Sequence, residues 1–156
     1  MTYEELLIQA DAEGLIVREK EIPGYHGRIY KNRIAIHKDI PTITEKSCVL
    51  AEEIGHYYTT SGDIMDQKNT MNRKQEYKAR FCGYNIKIGL MGIINAFKDG
   101  RRNLHEMAEH LDVSEQYLLE AINCYKQKYG VYTVVDNYII YFEPYLRIGR
   151  IGEIDE

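Results

Sequence analysis

The chain has 156 residues, 44% of them hydrophobic and 28% charged, with a formal net charge of −4 at pH 7, which suits one domain or a domain with a small joined extension. No apolar run approaches the ~20 residues of a membrane span, and Met1-Thr-Tyr-Glu-Glu has neither the basic start nor the apolar core of a signal peptide; the expected location is the cytoplasm. No low-complexity stretch, internal repeat or flexible linker interrupts it.

Tyr3 to Ala12 reads as a short amphipathic helix, and Leu15 to Ile22 alternates as a strand that Pro23-Gly24 closes. Arg28-Ile-Tyr-Lys-Asn-Arg-Ile-Ala-Ile-His37 reads as a hairpin with its turn at Lys31-Asn32. His26 and His37 flank it. Neither has ligand spacing to the segment that follows, so they are assigned ordinary surface or strand-end roles.

A helix then starts after Pro41, where Thr42 and Glu45 have capping-box spacing, and runs without proline to about Thr60. It contains Cys48-Val-Leu-Ala-Glu-Glu-Ile-Gly-His56, which is the zinc-protease pattern H-E-x-x-H with its first histidine replaced by Glu52. That pattern needs a helix because ligands at i and i+4 lie one turn apart on the same side, with the general base beside them. A helical step of about 100° per residue puts Val49, Glu52, Glu53, His56 and Thr60 on one side. Leu50, Ala51, Ile54, Tyr57 and Tyr58 fall on the other, the two tyrosines as packing residues and not as oxyanion donors. By itself the segment is better read as a solvated surface helix, with its glutamates and histidine opposite an apolar stripe. Gly55 argues for more: a mid-helix glycine costs about 1 kcal/mol relative to alanine, which implies another element packed closely against the backbone beside His56.

A metal site also needs a third ligand, and Glu76 offers one. Asn72-Arg-Lys-Gln-Glu-Tyr-Lys-Ala-Arg-Phe-Cys-Gly-Tyr84 reads as a helix capped by Asn72, with Ala79, Phe81, Cys82 and Ile86 as its buried stripe and Glu76 at the stripe's edge. A carboxylate there can point into a cleft between two packed helices. Asp63, in the Ser61-Gly62-Asp63 turn, competes with it, although an aspartate in a turn ordinarily serves the turn.

These segments resemble the ImmA/IrrE family of metallo-endopeptidases. The resemblance rests on A-E-E-I-G-H at 51–56, on E-Y-K-A-R-F at 76–81 and on the order of elements around them. The continuation G-H-Y-Y-T-T-x-G-D-I at 55–64 is similar to short forms from prophages of Gram-positive bacteria. The resemblance implies an α+β fold in which a small antiparallel sheet packs on the zincin-like motif helix. It also implies Glu53 as catalytic base, His56 and Glu76 as metal ligands, and Glu52 in the place of the first histidine. Two neutral imidazoles and one carboxylate leave a divalent ion at +1, whereas Glu52, His56 and Glu76 leave it near zero. Water on the ion is then less acidic than at an ordinary catalytic zinc. Zinc is the expected cofactor, and the oxygen-rich set makes manganese or iron credible too. The implied function is cleavage of a transcriptional repressor of a phage or mobile element. The alternative is a noncatalytic antirepressor or adaptor that binds the same protein.

Gly89-Leu-Met-Gly-Ile-Ile reads as a continuation of the Glu76 helix. Beyond it, Asn103 to Ile122 has the pattern of a helix-turn-helix, with Ala108, Leu111, Val113 and Leu118 as its small core and Ser114 capping the second helix. Val131-Tyr-Thr-Val-Val and Tyr138-Ile-Ile-Tyr-Phe flank Asp136-Asn137 as a β-hairpin wing. A winged helix suggests DNA binding, but from residue 100 onward six Lys/Arg face ten Asp/Glu, and nonspecific DNA affinity comes mainly from phosphate neutralisation. Packing or protein docking is the better assignment, with His105 and His110 at the surface. The expected organisation is a metallopeptidase-like core at 1–99, a winged-helix-like extension packed on it at 100–150, and an acidic tail at 151–156. Cys48, Cys82 and Cys124 read as buried thiols of a reducing compartment.

Overall fold

The computed structural model describes residues 1–59 and 70–152. The chain forms two compact units, Met1–Lys87 and Ile88–Glu156, and its class is α+β.

In the first unit α1 (Tyr3–Ala12) opens on a capping box, in which Thr2 accepts from the Glu5 amide and Glu5 accepts from the Thr2 amide. Strands β1 (Ile16–Lys20), β2 (Gly27–Tyr30) and β3 (Arg33–His37) form a sheet in the order β1-β3-β2. The hairpin β2-β3 turns where expected, with Lys31 at φ 54°, and β1 joins β3 in parallel. Alternation then sorts the side chains by face. Ile34 and Ile36 of β3 are fully buried, with Val17 and Ile29 beside them. They meet Leu6 and Ala10 of α1 and Leu50, Ala51 and Ile54 of α2 (Ile43–Thr59), so the sheet and α1 share one apolar side of α2.

Helix α2 starts as its sequence indicates, with the Thr42 hydroxyl accepting from the Glu45 amide at 3.1 Å. Helix α3 (Thr70–Lys87) begins two residues before Asn72, which therefore lies inside the helix and is not its cap. Asp63 lies outside the described residues.

The second unit begins with a break. The helix containing Glu76 does not continue, because Ile88 leaves helical geometry (φ −120°, ψ −74°) and Gly89 takes φ +68° before α4 (Gly89–Lys98) starts afresh. Helices α5 (Leu104–Leu111) and α6 (Glu115–Tyr129) make the expected helix-turn-helix pair, capped by Asn103 and Ser114. Ala108, Leu111, Val113 and Leu118 are its buried centre. Strands β4 (Tyr132–Val135) and β5 (Tyr138–Tyr141) form the hairpin around Asp136, at φ 52°. A third strand, β6 (Arg147–Arg150), pairs with β5 and was not foreseen: Arg-Ile-Gly-Arg is too short and too polar to announce itself. Of the acidic tail, residues 153–156 lie outside the described residues. Among the described residues no helix is long and apolar enough to cross a membrane.

Candidate metal centre

Helix α2 is buried on more than its apolar side. Besides Leu50, Ala51 and Ile54, the side chains of Glu53 and His56 are only 8% and 7% exposed. What covers them is α3 on one flank and β2 on the other.

The approach of α3 depends on two glycines. A Cβ on Gly55 would collide with the backbone carbonyl of Ala79, and one on Gly83 would stand 3.1 Å from the Cα of Glu52. The helices therefore meet backbone to backbone, with fully buried Ala79 at the crossing. This is the close neighbour that the glycine in the motif implied. It also sets the position of Glu76, about one turn before Ala79, so that Glu76 Oε2 lies 3.3 Å from His56 Nε2.

Glu52 joins them. One ligand atom from each of Glu52, His56 and Glu76 lies within 4.8 Å of the other two. Of the expected site residues, these three come together and Glu53 borders them. The donors fit a divalent cation. They are an imidazole nitrogen and two carboxylates that face each other and lose their repulsion when a cation lies between them, and a contraction of about 1 Å reaches metal–ligand distances. His56 Nδ1 is buried without a hydrogen-bond partner among the described residues, which leaves the ring held from its Nε2 side.

The electrostatics follow from this crowding. Burial, with the neighbouring Glu76 charge, pushes the Glu52 carboxyl up even though Arg80 pulls it down. The hydrogen bond from His56 holds Glu76 below the usual carboxylate range. For His56, burial disfavours the charged ring, but the hydrogen bond to Glu76 and the charges of Glu53, Glu76 and Glu52 outweigh it, and its pKa rises. Glu53 is pushed up to about 7, first by burial and then by the charges of Glu52 and Glu76, against the pull of His56. A carboxyl that is half ionised near neutral pH is matched to taking and returning a proton. It has room because β2 carries Gly27 opposite it: a Cβ there would press on Val49 and stand 3.2 Å from Glu53 Oε1.

Other expectations resolve individually. His37 Nδ1 accepts from the Asp39 amide at 3.1 Å, a strand-end role. His105 is at the surface, beside Glu115 and Glu109, while half-buried His110 pairs with Asp99. None of the three cysteines is in a disulfide; Cys48 is buried, and Cys82 and Cys124 are partly exposed. Tyr57 and Tyr58 are not packing residues. They are 39% and 46% exposed, their rings lie against each other, and the Tyr58 hydroxyl meets Glu13 and Gln9 at the end of α1. Sequence reasoning passed over Arg80, whose Nε lies 3.6 Å from Glu52 Oε1 and 3.7 Å from Glu76 Oε1. Its i, i+4 spacing from Glu76 was the available signal.

A sequence model of the peptidase M78 family, described as the IrrE N-terminal-like domain, matches residues 11–123, a stretch that takes in Glu52, Glu53, His56 and Glu76. No curated protein matches the chain.

Proposed function

Because this chain belongs to the peptidase M78 family, whose members are metal-dependent peptidases, we propose that it is an endopeptidase whose centre is Glu52, His56 and Glu76, with Glu53 as the proton-transfer group. The observation that carries this reading is the convergence of those three donors across the α2–α3 crossing, with a buried carboxyl of raised pKa beside them.

A divalent ion held there would supply Lewis acidity toward water and the scissile carbonyl. The rest is the work of the chain. Glu52 and His56, one turn apart, and Glu76 from the neighbouring helix fix the ligand geometry. Glu53 accepts the proton of the attacking water and returns it to the leaving amine, a role worth roughly 10²–10⁴ in rate. The oxygen-rich donor set supports zinc and also admits manganese or iron. The reading extends to the substrate, a transcriptional repressor of a phage or mobile element, and to the cytoplasm as the setting, where cysteines outside disulfides, such as Cys48, Cys82 and Cys124, stay reduced.

The presence of Glu52 where H-E-x-x-H has histidine favours one second reading, a noncatalytic adaptor that holds the same repressor. The two separate when the purified chain and a candidate repressor are incubated with zinc or manganese. A discrete fragment, lost at least about 100-fold in rate with Glu53→Gln while metal content stays near wild type, supports the peptidase. A stable complex without cleavage, indifferent to Glu53→Gln, supports the adaptor.

A further inference from the structure

We propose that Arg80 tunes this centre by charge: its guanidinium faces the Glu52–Glu76 carboxylate pair and lowers the affinity of the centre for a divalent cation. The inference rests on the reading of Glu52, His56 and Glu76 as one metal centre.

The geometry is specific. A single guanidinium nitrogen, Nε, faces one carboxylate from each helix, Glu52 Oε1 of α2 at 3.6 Å and Glu76 Oε1 of α3 at 3.7 Å. Both distances exceed the usual hydrogen-bond range, so these are ion pairs with no hydrogen bond to lose. The Arg80 side chain is 57% exposed, and it can yield to an incoming ion by turning into water. Its charge closes the account that Glu52 opened. Glu52, neutral His56 and Glu76 cancel a divalent ion, and the guanidinium returns the cluster to +1, the value left by two imidazoles and one carboxylate.

Two consequences follow. Before an ion binds, Arg80 offsets two carboxylates that would otherwise repel each other across the crossing of α2 and α3. When an ion binds, Arg80 and the ion compete for the same oxygens, and the like charges repel. Wild-type affinity is therefore lower than the ligand set alone would give, and the reduction depends on Glu52 being a carboxylate.

The test is a measurement of zinc and manganese affinity by competition with a chromophoric chelator. It uses the wild type, Arg80→Gln, Arg80→Lys, Glu52→Gln and the Glu52→Gln/Arg80→Gln double variant, each first shown to melt cooperatively. Arg80→Gln is expected to tighten Kd by about tenfold at low salt and by less at high salt. Arg80→Lys, which keeps the charge, should stay within about threefold of wild type, and in the Glu52→Gln background the gain from Arg80→Gln should shrink to about threefold or less. Unchanged or weaker binding by Arg80→Gln, or an equal gain in both backgrounds, overturns the inference and leaves the metal centre standing. Absence of saturable binding in every variant overturns the metal centre, and this inference with it.

Discussion

Among the described residues of Met1–Lys87 four polar or charged side chains are buried, Ser47, Glu53, His56 and Lys87, whereas among the described residues of Ile88–Glu156 the buried side chains are all apolar or aromatic. Two of the four are accounted for locally: the Ser47 hydroxyl donates to the Thr44 carbonyl, and the Lys87 ammonium donates to the Met1 carbonyl. The other two are Glu53 and His56, side by side at the α2–α3 crossing. The second unit uses its polar residues differently. Asn103 and Ser114 satisfy helix ends, and Glu106, Glu109 and Glu115 remain in water or pair at the surface. Burying an ionisable group is costly unless something compensates it. A fold that buries two together, next to two more carboxylates, gives up stability to do so, and perturbed groups clustered in this way mark a candidate functional site.

The comparison breaks most easily at Gly55. If the crossing of α2 and α3 exists to bring Glu76 to His56, a methyl group at Gly55 must force the helices apart, since the obstacle is the Ala79 backbone and not a movable side chain. Gly55→Ala is expected to cost about 3 kcal/mol in urea unfolding and to weaken cation binding in the same variant. Wild-type stability and affinity in Gly55→Ala would show that the close crossing is dispensable.

An effect of similar size, which disappears toward acid pH, sharpens the claim that Glu53 is buried against stability. Its folded pKa of about 7 lies above the 4.5 of an ordinary glutamate, so between those values the folded protein binds more protons than the unfolded one. Stability contributed by Glu53 is therefore full below about pH 4.5 and is lost as pH rises through 7. In metal-free protein kept so by a chelator, Glu53→Gln should exceed wild type by about 3 kcal/mol at pH 8 and converge with it near pH 5. A constant difference across that range would mean that Glu53 is not the titrating group.

Much of the site was legible because its parts are periodic. Glu52 and His56 share a face by helical spacing alone, and Gly55 announced a close neighbour by being a poor helix former that the chain nonetheless keeps. Glu76 was legible as an edge residue of an amphipathic stripe. Spacing did not reveal what depends on the tertiary arrangement. Gly83 and Gly27 matter because another backbone or a carboxylate stands where their Cβ would be. Arg80 matters because two carboxylates far apart in sequence meet beside it. The parallel pairing of β1 with β3 is a fact of topology, and β6 is held by its pairing with β5 more than by its own pattern. Tyr57 and Tyr58 illustrate the converse error: helical periodicity gives a direction, but burial also needs neighbours that cover the side chain, and both rings stay more than a third exposed.

The smallest expected effect comes from making the Gly55 substitution at a glycine of the other unit. Gly92 also lies in a helix, α4, and also has a neighbour at the position of a Cβ, but that neighbour is the Cδ2 tip of Leu111 at 3.1 Å, with Ile88 Cγ2 at 3.8 Å. A leucine tip can shift by a few tenths of an ångström through small χ changes, whereas a helix carbonyl moves only with its helix. Replacing glycine by alanine inside a helix also gains about 1 kcal/mol of propensity. The strain at Leu111 and this gain are of similar size, so Gly92→Ala should lie within about 1 kcal/mol of wild type, on the stabilising side if Leu111 yields freely. Opposite signs for Gly55→Ala and Gly92→Ala would identify the backbone contact at the α2–α3 crossing as the source of the penalty. Equal losses at both would mean that helical glycines are constrained throughout this chain, and the contrast between the units would then not extend to their packing.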